Sequence, residues 1–252
     1  LDGAPDPDFG LAESWQVSDD GLVWTFKLRP GMRWQDGEPV TAKDVAFTYD
    51  LIIAKDLTAL TSYTANIKEA RALDDATVEI ECTRPKANME KLWIYVLPEH
   101  VWGKIDDPEK HKMEYPFVGS GPFQCVEWKK GSHVKMVRNP DYWGKSPTVD
   151  EIYFEYYTNP DTMTQDLKSG LIDGANDVPA AQFDTFVDDP DFDAIAYNLF
   201  MWEYLGFNCY ESGHSLGAPV LREADFRNAL NWAIDKQKCV DVAWEGRAAP
   251  GT

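Results

Sequence analysis

Residues 11–53 read LAESWQVSDDGLVWTFKLRPGMRWQDGEPVTAKDVAFTYDLII, and the fold is decided there. Leu11 to Val17 is a short apolar and aromatic run, suited to a strand. Asp19-Asp20-Gly21 follows, and Asp-Gly between two such runs is a hairpin signal. From Val23 to Leu28 the chain alternates, with Trp24, Phe26 and Leu28 on one face and Val23, Thr25 and Lys27 on the other. That is the period of a half-buried strand. Pro30-Gly31 breaks it, Met32 to Trp34 starts another extended piece, and Asp36-Gly37 makes a second turn. Thr41 stands three residues before Asp44, a capping-box-like helix start with Asp in the usual Glu/Gln place. Val45, Ala46, Tyr49, Ile52 and Ile53 then recur at helical spacing. The stretch reads as hairpin, turn and capped amphipathic helix, and none of its residues has a catalytic setting.

Bulk properties narrow the function. A chain of 252 residues allows one or two domains, and 44% apolar content can fill a core. The net charge of −19, from 43 acidic and 24 basic residues, opposes nucleic acid and an anionic membrane surface. No run approaches the ~20 apolar residues of a membrane span. The chain opens on Leu1-Asp2-Gly3 and reads as a mature or excised piece. Cys82, Cys125, Cys209 and Cys239 form no metal-ligand pattern. Each lies in or beside an apolar run, where a free thiol and a disulfide are both open.

Further along, Ile67 to Leu73 and Thr77 to Cys82 read as a second hairpin. Met89, Leu92, Trp93 and Val96 suggest a short helix stopped by Pro98. Val118-Gly119-Ser120-Gly121-Pro122-Phe123 begins a strand running to Trp128, with a return strand from His133 to Arg138. The glycine pair lacks the Gly-Lys-Ser/Thr ending of a phosphate loop, so it reads as a backbone crossing between domains. Glu151 to Tyr157 alternates as a strand, and Asn159-Pro160 opens a helix that Gly170 ends. Leu171 to Asp173 then reads as a strand, Pro179 to Val187 as a helix, and Asp193 to Cys209 as one or two strands. That order fits a parallel or mixed sheet with helices on its faces. Asn176 and Asp177 fall at a strand's carboxyl end, where such sheets gather ligands; the alternative is a cap and turn for the next helix. Leu205 to Asn208 reads as a strand. A helix over 223–234 is expected to turn Phe226, Leu230, Trp232 and Ala233 inward, and Asp235 to cap another that ends at Gly246.

Taken in order, LAESW, DDG, WTFKLRPGMRWQDGEPVTAKDVAFTYD, VGSGPF, RNPDYWGKSPTVDEIYFEY, LKSGLIDGAND, LGFNC and FRNALNWAIDKQKCVDVAWEGRAAPG resemble the bacterial extracytoplasmic solute-binding proteins of the oligopeptide/dipeptide-binding class, family 5. The resemblance covers the whole chain. It implies an α/β fold of the type II periplasmic-binding-protein kind: two lobes, a mixed sheet and a β-rich accessory domain, with the second lobe incomplete here. Residues 1–117 would be the accessory domain, 118–200 the central sheet of the first lobe, and 201–252 the hinge strand and start of the second lobe. Family members run to about twice this length.

By the same resemblance Asn176 and Asp177 occupy ligand-contact positions. Trp202 and Tyr204 sit on a crossing strand whose aromatics line the cleft, and Asn208 is the Asn of the Phe-Asn strand. The implied function is capture of oligopeptides or dipeptides for an ABC importer, with a sugar, nickel or opine as other ligands. The implied partners are a short peptide and the permease subunits. No cofactor, metal or catalytic residue is implied. The protein would be a monomer in the periplasm or a lipoprotein on the cell surface. A glycosidase would need a carboxylate pair, and none stands in a catalytic setting. A ligand-sensing domain of a regulator would need a DNA-binding helix pair.

Overall fold

The computed structural model describes residues 10–92, 94–112, 115–197 and 203–251. They divide into two compact units, Leu1–Tyr156 and Tyr157–Thr252.

The first unit begins with the expected hairpin. Strand β1 (Ala12–Val17) pairs antiparallel with β2 (Val23–Leu28). Gly21 closes the turn at φ 72°, a conformation that costs glycine little, and the Asp20 carboxylate accepts from Leu22 N–H at 3.0 Å. Helix α1 (Ala42–Lys55) follows, and the Asp44 carboxylate reaches back to accept from Thr41 N–H at 2.8 Å. After the one-turn helix α2 (Thr61–Thr64), strands β3 (Ile67–Ala72) and β4 (Thr77–Cys82) form the second hairpin. Strand β4 also pairs with β2, so the sheet order is β1-β2-β4-β3, antiparallel throughout.

This sheet buries the face that the alternation assigned. Trp24 and Leu28 from β2 and Val78, Ile80 and Cys82 from β4 join Ala42, Val45, Ala46 and Tyr49 of α1 in one core. Trp15 and Trp143 pack against its margin. Each fully buried large apolar side chain contributes roughly 1.5–3 kcal/mol. The opposite face carries charge pairs such as Lys68–Glu81 at 2.8 Å and Arg71–Glu79 at 2.7 Å, exposed contacts of small net value.

Asp44 is 4% exposed and does more than cap α1. Its second carboxylate oxygen accepts from Glu99 N–H at 2.9 Å. One turn on, the Thr48 hydroxyl accepts from Leu97 N–H at 2.8 Å and donates to the Asp44 carbonyl at 2.7 Å. These contacts seat helix α3 (Glu99–Trp102). Here the sequence reading is corrected: only Met89–Lys91 forms a short 3₁₀ turn, and Pro98 starts a helix rather than ending one. Proline suits a helix entrance because the first N–H groups need no intrahelical partner. Trp93 lies outside the described residues.

A second antiparallel sheet, ordered β5-β6-β7, holds β5 (Phe123–Lys129), β6 (His133–Arg138) and β7 (Glu151–Glu155). The crossing into it, 119–122, is pinned from two sides. Gln35 binds Gly119, Gly121 and Phe123, while buried Asn139 donates to the Gly121 carbonyl at 3.0 Å.

The second unit holds α4 (Pro160–Lys168), α5 (Ala180–Val187), α6 (Ala224–Ala233) and α7 (Lys236–Ala243). Asn159 caps α4, accepting from Asp161 N–H at 2.8 Å, and Asp235 caps α7, accepting from Lys238 N–H at 2.9 Å. Two expectations fail here. Among the described residues neither Leu171–Asp173 nor the parts of 193–209 form strands, so the parallel pairing expected from the element order is not made. Leu171–Asp173 bends instead of extending, and no described neighbour completes a ladder for the rest. Trp232, at 87% exposed, and Phe226 also point outward, because no described element covers that face of α6.

Two measurements test this packing. Asp44→Ala removes a cap and a buried acceptor for Glu99 N–H, so urea unfolding should show a loss of roughly 2–3 kcal/mol. Burial pushes the Tyr49 hydroxyl up from 10.0 to about 12. A raised pKa means that the unfolded chain releases this proton first. The Tyr49 contribution is then intact below pH 10 and is lost as pH rises toward 12. Thermal midpoints should fall across that window, and Tyr49→Phe should flatten the fall.

Candidate functional site

The residues singled out from the sequence all belong to the second unit. Helix α4 stops at Gly170 (φ 74°), and the chain bends through 171–179 before α5. Asn176 and Asp177 lie in that loop, both exposed. Neither caps α5, whose N-cap is Pro179 without a side-chain bond. Asp177 adopts φ 57°, a left-handed conformation that an L residue takes at some cost. Among the described residues its carboxylate has no hydrogen-bond or ion-pair partner, nor does the Asn176 amide. The loop thus presents one amide and one carboxylate to solvent, free to pair with something else.

Tyr204 and Asn208 lie on segment 203–210, which forms neither helix nor strand. Tyr204 is 81% exposed, and Leu205 and Tyr210 are exposed beside it in sequence. Trp202 lies outside the described residues. Asn208 accepts from Tyr210 N–H at 3.2 Å, a local turn contact. A Cβ at Gly217 would meet the Asn208 carbonyl oxygen at 2.1 Å, so glycine is required for this close backbone approach. Arg227 holds the same region by donating to the Leu221 and Arg222 carbonyls at 2.8 and 2.7 Å. No hydrogen bond joins the 203–210 segment to the 173–177 loop among the described residues.

What sequence reasoning missed is the supporting polar work of the first unit. Asp44 was noticed as a cap, but its reach to Glu99, 55 residues away, had no local signal. The same holds for Asp36, whose Oδ2 lies 2.6 Å from His100 Nε2. Among the described residues no group of three or more His, Cys, Asp or Glu is placed to hold a metal ion. No helix there is long and apolar enough to cross a membrane.

Comparison with known proteins gives the class. Residues 6–252 match the model of bacterial extracellular solute-binding proteins, family 5, middle region, and the chain belongs to that family. The architecture is therefore that of periplasmic binding proteins of family 5, in a chain of mixed helix and sheet. One relative, from Brucella ovis, is named for ABC transporter peptide binding; it is 31% identical over 250 residues, covering 95% of this chain and 45% of the relative. The oligopeptide-binding protein AppA of Bacillus subtilis, solved with a nonapeptide, superposes with TM-score 0.80 at 27% identity. That match covers 94% of this chain and 47% of AppA. NikZ of Campylobacter jejuni, solved with Ni(L-His), superposes with TM-score 0.75 at 26% identity, covering 92% and 46%. The chain spans about half the length of the curated relatives it matches.

All four thiols are free, which resolves the alternative left open by the sequence. Cys209 and Cys239 are exposed, whereas Cys82 is buried and its thiol is pushed up by desolvation. A thiol reagent at neutral pH should label Cys209 and Cys239 in the native chain and Cys82 only after denaturation. Mass mapping of the labelled peptides reads this directly.

Proposed function

We propose that the protein carrying this chain is the substrate-binding component of an ABC importer. It captures short peptides outside the cytoplasmic membrane, as a monomer, and passes them to permease subunits. The observation that carries this reading is the superposition on peptide-bound AppA over 94% of the chain. The reading supplies no chemistry, only recognition. Peptide backbone would be held by strand-like hydrogen bonds and side chains by watery pockets. Closure of two lobes would signal occupancy to the transporter. Residues 1–117 would serve as the accessory domain, 118–200 as part of the first lobe and 201–252 as the crossing into the second. Location in the periplasm or as a surface lipoprotein belongs to the same proposal.

Within it, Asn176 and Asp177 contact ligand, and the unpaired carboxylate favours a cationic group. Tyr204 and Trp202 supply aromatic surface, which stacks or packs without demanding one sequence. Asn208 shapes the turn that follows them. The likeness to NikZ supports a second reading, in which the cargo is a small metal chelate rather than a peptide.

Calorimetric titration separates the two. The protein should bind members of a short-peptide pool, and Tyr204→Ala and Asp177→Asn should each weaken binding by about tenfold, near 1.4 kcal/mol. Binding of nickel–histidine with no response to any peptide would overturn the peptide reading and favour the second. Peptide binding untouched by either substitution would remove these residues from the site.

A further inference from the structure

We infer that the Gly119-Ser120-Gly121-Pro122 segment is a built-in joint between the two sheets of the first unit, and that Gln35 is its latch. The inference does not depend on which solute the protein binds.

Gly121 marks the joint. Its φ is not in the left-handed region, and a Cβ there would meet nothing within 4 Å. A Cβ at Gly119 would touch only the Gln35 side chain, at 3.4 Å. Neither glycine is required by its own backbone angles or by the packing of a third element. What glycine supplies at Gly121 is freedom to leave this conformation. The segment also lies in the connection between the two sheets. The four-stranded sheet and α1 precede it, and β5 to β7 follow it.

The latch is a single residue 84 to 88 positions away. Gln35 N–H donates to the Gly119 carbonyl at 2.8 Å, and Gly119 N–H donates to Gln35 Oε1 at 3.2 Å. Gln35 Nε2 donates to the Gly121 carbonyl at 3.3 Å and to the Phe123 carbonyl at 2.9 Å. The primary amide matches this target because it offers an acceptor and two donors together. Gln35 sits on a loop that is itself anchored, by buried Trp34 on one side and the Asp36–His100 contact on the other. Asn139 grips the far end of the joint, with its N–H donating to the Pro122 carbonyl at 2.8 Å. Asn139 belongs to the second sheet's own connection, so it travels with that sheet. Gln35 is the part of the grip that belongs to the first sheet. Trp143 is a second tie, packed at the core margin with Arg29 Cζ 5.5 Å from its ring. Unlatching is therefore a swing about a tether rather than separation of the sheets.

Hydrogen exchange read by mass spectrometry tests this. In Gln35→Ala, the amides of residues 35 and 119, which bond across the joint, should exchange about tenfold faster, with α1 and the ladders of both sheets unchanged. Gln35→Glu keeps an acceptor for Gly119 N–H but turns an oxygen toward two carbonyls, so it should open the joint as Gln35→Ala does. Gly121→Ala alone should fold normally, and added to Gln35→Ala it should restore part of the lost protection by stiffening the joint. Uniform acceleration through both sheets, or wild-type protection in Gln35→Ala, would overturn the latch. Failure of Gly121→Ala to restore any protection would overturn the joint.

Discussion

One carboxylate fixes the geometry on which the first unit depends. Asp44 is nearly sealed from solvent, and its oxygens answer two backbone donors, Thr41 N–H in its own helix start and Glu99 N–H far along the chain. A polar group taken out of water is tolerable only when such partners replace the solvent. The requirement works in both directions. It ties α1 to the Leu97–Glu99 segment, while the apolar face of α1 lies on the four-stranded sheet. Val45, Ala46 and Tyr49 then meet Trp24, Val78 and Ile80, and burial supplies most of the unit's stability.

That half of the fold was legible because its signals are local. Trp24, Phe26 and Leu28 alternate, Asp-Gly marks the turn, and Thr41 with Asp44 marks the helix start. Val78 and Ile80 repeat the alternation, so β4 could be placed too. The pairing of β2 with β4 across some fifty residues follows once both strands need a partner for the same face. The links from Gln35 to Gly121 and from Asp36 to His100 could not be read, since a glutamine or histidine in a loop has the same local appearance whether it is paired or solvated.

The second unit shows where such reasoning stops. Its helix caps at Asn159 and Asp235 were readable, because a cap is contained within four residues. Its strands were not, because Leu171–Asp173 has strand-like composition yet bends, and 203–209 has no described neighbour to complete a ladder. Composition sets a preference for extended backbone, while the hydrogen-bonded partner decides the outcome. Trp232, Tyr204 and Leu205, which no described element covers, are likewise exposed. Asn176 and Asp177 were picked out by position and by the family resemblance; the structure adds that Asp177 has φ 57° and that, among the described residues, neither side chain has a hydrogen-bond or ion-pair partner.

The chain belongs to the family 5 solute-binding proteins, and the proposed ligand contacts are the unpaired Asp177 carboxylate and the exposed aromatic segment. Photo-crosslinking tests those contacts most directly. A short peptide carrying a photoreactive side chain would be bound to the protein, irradiated and mapped by mass spectrometry. The account predicts label on residues 173–177 and 203–208. Label confined to the first unit, or no capture of any peptide, would contradict it.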